Sequence, residues 1–225
     1  MIRLRTAGVN AVLLNLPAVV SIAFLMDNDQ LTFFTGKDYG LPPGHRTSLF
    51  AMIMLRLGSD NGSILQDPNW VLDPGELALI QSRIDEFNAV IDAAGAAAEF
   101  PVLDISQLFA DVITEPPVVR GRELSNCFGG GLFSLDGIHA SNTGYGLLAQ
   151  ETIRTANNAW GLGLRPITDS DIARIALTDP HIDKDGDGRV TGRLGAGLLE
   201  TIMFLLGISG DFVDFPTPPA AKRSL

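Results

Sequence analysis

The sequence predicts an α/β protein: part of a doubly wound parallel sheet followed by a small helical C-terminal appendage. Three observations carry this. Val12-Leu13-Leu14 is a short continuous apolar run of the kind found in strands covered on both faces. A well-capped amphipathic helix starts at Pro74, and Phe100-Pro101-Val102-Leu103-Asp104-Ile105 then reads as a second strand. Strand, excursion, helix, strand is the rhythm of parallel strands joined by crossover helices. The 225 residues suffice for one domain with a small addition. The expected divisions are residues 1–160, a helical segment over 161–215 and a disordered Pro-rich tail over 216–225.

Residues 1–6 read as the end of a helix that Gly8 stops, with a buried strand over 9–16. A secretory signal peptide is the alternative, since Arg3 and Arg5 precede an apolar run to Met26 and Ser21-Ile22-Ala23 resembles a cleavage site. Asn10, Asn15 and Pro17 interrupt that run, which favours the strand and argues against a membrane span. Residues 27–73 are rich in Gly, Pro, Asn and Asp and read as a long surface excursion with a helical island over 48–57. Asp73, Pro74 and Glu76 then form an N-cap, a first helical position and a capping box, with Leu72 and Leu77 as a hydrophobic staple. Leu77, Ile80, Ile84, Phe87, Ile91 and Ala94 give that helix an apolar stripe, and Gly95 lies near its end. The Pro of the second strand suits its first position. A last helix of the first part runs from a Ser141 or Asn142 cap to about residue 157, with Leu147, Leu148 and Ile153 facing the sheet and Tyr145 read as a packing residue.

Composition narrows the function classes. At 46% hydrophobic and 19% charged residues, the chain is globular in type. A net charge of −10 argues against a nucleic-acid binder, which needs a basic field to displace phosphate counterions. The single Cys127 rules out an internal disulfide and reads as a small apolar residue beside Phe128-Gly129-Gly130-Gly131. His45 and His181 stand in polar loops and read as solvated.

The chemistry concentrates in Ser134-Leu135-Asp136-Gly137-Ile138-His139-Ala140-Ser141-Asn142-Thr143-Gly144-Tyr145. A catalytic imidazole needs one ring nitrogen toward the nucleophile and the other held by an acceptor, and an Asp-x-x-His turn can supply both. Residues 131–149 as a whole resemble the C-terminal block of the SGNH/GDSL hydrolases, serine esterases and lipases whose signature there is Asp-x-x-His, then Gly-Tyr and an apolar helix. Asn15-Leu16-Pro17-Ala18-Val19-Val20-Ser21-Ile22 is similar to the segment that ends a central strand of that family. The resemblance covers residues 2 to about 160 and implies a flavodoxin-like SGNH hydrolase fold. It also implies a small-molecule or lipid ester substrate, no catalytic cofactor, His139 as general base and Asp136 as its orienting acid.

The family's Gly-Asp-Ser block with the nucleophile is not found, nor its separate Gly block or Gly-x-Asn-Asp block. Ser59 and Ser63 stand after the Asn-Leu-Pro segment, the wrong order for a nucleophile, and read as a polar turn. The chain is therefore expected to be a fragment, with an exposed sheet edge open to self-association. An extracellular or periplasmic location is expected of the parent protein.

A second candidate site is Asp183-Lys184-Asp185-Gly186-Asp187-Gly188-Arg189-Val190-Thr191. Acids at loop positions one, three and five, Gly at six and an aliphatic at eight match the EF-hand pattern, and the stretch also resembles dockerin loops. Ca2+ would take oxygens of Asp183, Asp185 and Asp187, the Arg189 carbonyl and Thr191, at about 2.3–2.6 Å. Leu194 replaces the bidentate acid of position twelve, and Pro180 breaks the helical approach over 171–177, so affinity falls toward the weak end, roughly 10⁻⁴–10⁻³ M. Residues 194–206 follow as a nearly all-apolar helix that needs burial. Three functions compete: an ester hydrolase, a calcium-dependent binding or docking module, and an inactive hydrolase remnant.

Overall fold

The computed structural model of the protein describes residues 2–185 and residue 190. Asp187, Arg189, Thr191 and Leu194, the apolar helix expected over 194–206 and the tail over 216–225 lie outside the described residues. α1 (Ile2–Thr6) leads to β1 (Leu13–Leu14), and β2 (Leu25–Met26), α2 (Asn28–Thr35), β3 (Arg46–Ser48), α3 (Leu49–Arg56) and β4 (Val71–Leu72) follow. Next come α4 (Pro74–Ala98), β5 (Val102–Leu103), α5 (Ile105–Thr114), β6 (Val118–Val119), β7 (Arg122–Glu123), α6 (Asn142–Trp160) and α7 (Asp169–Thr178). The class is mixed α/β. β1 and β5 pair in parallel, Leu13 opposite Val102 and Leu14 opposite Leu103, while β2, β3 and β4 form a separate antiparallel sheet.

Local chemistry sets the helix starts. Asp73 accepts from the Glu76 amide at 2.8 Å and Glu76 reaches back to the Asp73 amide at 3.0 Å, completing the capping box of α4. Ser48 caps α3 and Ser141 caps α6, each by accepting an amide of the first turn. α2 lies within the stretch over 27–47 whose composition predicts loop. Its signal was legible: Asp27 and Gln30 make a second capping box, and Gly36 ends the helix at φ 73° in the left-handed region that Gly adopts without strain.

The excursion is not on the surface; it is the core. Met26, Leu31, Phe34, Leu49, Met52 and Ile53 are all but fully buried, and the cluster they form reaches Phe128, Phe133 and Ile172. The reason lies in α3, Leu-Phe-Ala-Met-Ile-Met-Leu-Arg, which is apolar on every side and must be enclosed on every side. Gly and Pro in the flanks make the turns that fold the chain back around it. Thr47 enters this interior with its hydroxyl donating to the Trp70 carbonyl at 2.9 Å, so its own polar group is satisfied.

The parallel pair departs from the reading in the opposite sense. β1 is not covered on both faces: Leu13 is only half-buried, and Leu14 is exposed. α4 packs on β1 and β5, with Leu77, Ile80, Ile84 and Ile91 half-buried, yet Phe87 of the expected stripe is 60% exposed and Val90 beside it 66%. Two short strands give a 25-residue helix too little surface to cover. No helix among the described residues is long and apolar enough to cross a membrane.

Gly95 marks where α4 and the parallel pair touch most closely. A Cβ there would lie 2.7 Å from Val102 Cγ2 and 3.1 Å from the Phe100 carbonyl oxygen. In a free helix Gly→Ala stabilises by roughly 1 kcal/mol. Here the collision reverses the sign, and Gly95→Ala is expected to destabilise by about 1–2 kcal/mol, read as a lower urea midpoint at constant slope.

Candidate active site

The site is a loop closed on itself between residues 132 and 141. The Ser134 amide donates to the His139 carbonyl at 2.8 Å and the Ser141 amide to the Leu132 carbonyl at 2.9 Å, so the two ends lie side by side. Within it the Asp136 carboxylate gathers the donors. Its Oδ1 accepts from the Ile138 amide at 2.8 Å, the His139 amide at 2.9 Å and the Ser134 hydroxyl at 2.8 Å. Its Oδ2 faces His139 Nδ1 at 2.7 Å. Burial pushes the Asp136 carboxyl up, and these four hydrogen bonds outweigh it, holding it down to about 2. The carboxylate is thus ionised throughout the neutral range and fixes Nδ1 as the nitrogen turned toward it. The His139 side chain is 70% exposed, which leaves Nε2 for a second partner.

Gly137 anchors this loop to the core. Its carbonyl accepts from the Phe24 amide at 2.8 Å, and its φ of 72° lies in the left-handed region. A Cβ there would stand 2.7 Å from the Phe24 nitrogen. No other residue type meets both demands. Asn15, from the Asn-Leu-Pro segment, closes β1 onto β5: its amide group donates to Asp104 Oδ1 at 2.8 Å and accepts from the Ser106 amide at 3.0 Å. Asn126 Nδ2 donates to the Ser21 carbonyl at 2.9 Å, tying that same segment to the buried Gly-rich loop in which Cys127 is enclosed.

Ser59 and Ser63 are not brought to His139: no hydrogen bond joins them among the described residues. Ser63 instead donates to Asp60 Oδ2 at 2.6 Å, and Asp60 Oδ1 accepts the Gly62 and Ile64 amides, a self-satisfied polar turn that lowers the Asp60 carboxyl. Tyr145 is 51% exposed on α6. His45 is half-buried, with Nδ1 at 3.3 Å from the Pro43 carbonyl.

His181 differs most from its reading as solvated. It is half-buried, and its Nδ1 is enclosed without a hydrogen-bond partner among the described residues. Burial lowers its basicity, against the opposing fields of Asp179 and Asp136. The cause is Asp179, which is wholly buried at the start of α6. Its Oδ2 accepts from the Thr143 amide and hydroxyl, both at 2.7 Å, and its Oδ1 from the His181 amide at 2.9 Å. The chain after α7 is therefore drawn in beside the Asp136 loop. The Asp179-x-His181 spacing was the only hint in the sequence, since Asx turns bond two residues on.

At the second candidate site, Asp183 is 8% exposed and its Oδ2 accepts from Arg122 of β7 at 3.2 Å. Asp185 is exposed. Among the described residues, no three metal-ligating side chains converge. A cation seeking the Asp183 carboxylate meets a guanidinium already paired with it.

The Asp136 carboxyl carbon, followed by NMR, should titrate at about 2 instead of the ordinary 3.8, so its stabilising effect is complete above pH 4 and lost as pH falls toward 2. Gly137→Ala should remove the Phe24 contact and shift that titration back up. Were calcium to use the Asp183 carboxylate, Arg122→Gln would strengthen the calorimetric signal severalfold by removing the competing cation; an unchanged or absent heat would show that calcium does not use Asp183. No family model, no curated protein and no solved structure matches the chain.

Proposed function

We propose that the chain is the C-terminal part of an SGNH-type serine ester hydrolase of flavodoxin-like fold, carrying its base and orienting acid. One observation carries the reading: His139 Nδ1 is held at 2.7 Å by an ionised Asp136 while the imidazole is 70% exposed. In that role His139 Nε2 takes the proton of a serine hydroxyl as it attacks the ester carbonyl. Asp136 stabilises the imidazolium, and the proton passes to the leaving alcohol. Water then repeats the sequence on the acyl-enzyme. The substrate class is a carboxylic ester, small or lipid. The exposed Leu14 and the side of β1 that no strand pairs among the described residues support association between copies through this edge.

The nucleophile block is not present in the sequence, so the chain alone should turn over p-nitrophenyl acetate slowly, at a rate comparable with free imidazole. His139→Ala should remove that increment, whereas His45→Ala should leave it. Rapid, saturable turnover lost in His139→Ala would identify an unrecognised serine as nucleophile. Equal rates in wild type and His139→Ala would overturn the assignment of His139 as base. Attaching a nucleophile should raise the rate on the order of 10²–10⁴-fold through His139, the usual reach of general base catalysis.

A further inference from the structure

A cavity of about 250 Å³ opens between α5 and α6. Its walls are Leu108, Phe109 and Val112 of α5, Phe133, and Leu147 and Leu148 of α6. All six are apolar, and the Phe109 and Phe133 rings meet at 5.7 Å between centroids. Leu147 and Leu148, expected to pack on a sheet, instead face this space. The mouth is of opposite character. Asp111, Glu115 and Glu151 line it, with no lysine or arginine among the described lining residues. Glu151 is paired with Arg154 on α6, whereas the Asp111 carboxylate accepts from the neutral Gln107. The rim is therefore anionic on a chain whose net charge is already −10.

We propose that this cavity binds a short alkyl chain carrying a cationic head group. The apolar interior takes the chain, and its volume lies just under the roughly 300 Å³ at which pockets for larger ligands begin. The carboxylates at the mouth attract a cationic head and repel a carboxylate such as that of a free fatty acid. The cavity also adjoins the Asp136–His139 loop. Phe133 and Ala140 both line it and bridge each other, and Ala140 directly follows His139. Binding stands on the cavity alone; action of His139 on the bound molecule rests on the ester-hydrolase reading.

The test is calorimetry at low salt, below micelle formation, with octyltrimethylammonium and with octanoate, on the full chain. Saturable binding of the ammonium compound is expected, with octanoate about tenfold weaker, the scale of one or two partly solvated charges. Methyl resonances of Leu108 and Leu147 should shift together with binding. Val112→Trp should fill the cavity and abolish both. Should that variant fail to fold, Asp111→Lys with Glu115→Lys, both exposed, keeps the test open by reversing the head-group preference. His139→Ala should bind as wild type, which separates this proposal from the catalytic one. Equal affinity for the two head groups, no saturable binding, or shifts confined to residues outside the cavity would overturn it.

Discussion

The peptide unit of Phe24 joins the parts of this molecule. Its N–H donates to the Gly137 carbonyl and its carbonyl accepts from the Leu49 amide, both at 2.8 Å. One end thus holds the Asp136–His139 loop and the other starts the most deeply buried helix, α3. Its ring meets Phe50 edge-on at 5.4 Å between centroids. Because β2 follows at once, the antiparallel sheet, the core helix and the dyad loop are all referred to one short piece of backbone. Gly137 is the condition for this, since a side chain there would push the loop off the Phe24 backbone.

The acid-rich composition is accommodated by local geometry more than by ion pairs. Asp136, Asp60 and Asp38 each accept hydrogen bonds from amides or hydroxyls within a few residues, and each is held below the ordinary carboxylate range. Such turns keep carboxylates charged without a cation nearby. Among the described residues the buried ionic contact of Asp183 with Arg122 follows the other strategy, across 61 positions of sequence.

Legibility in the sequence followed the range of the interaction. Caps were readable because donor and acceptor lie three residues apart: Asp73 with Glu76, and Ser141 at α6, stand where expected. The Asp136–His139 contact was readable for the same reason. Burial was not. The composition of 27–73 suggests surface, yet its apolar residues, those of α3 together with Leu31, Phe34, Leu41, Ile64 and Leu65, dominate the interior. Conversely, a strong apolar stripe on α4 did not guarantee a partner, because Phe87 finds no sheet beneath it. His181 was misread because its environment is made by Asp179 reaching to Thr143, 36 residues earlier in the chain.

That Asp179 contact bears on how the polypeptide would behave after cleavage. The segment joining α6 to α7 is exposed over 161–166, whereas the attachments on either side of it are buried. Asp179 grips the N-terminal turn of α6, and Ile172 and Ala176 sit in the common interior. A protease nick in this connection would cut the covalent link but leave the two pieces clasped. The nicked protein should therefore migrate as two bands only under denaturing conditions, and its far-UV circular dichroism should remain that of the intact chain.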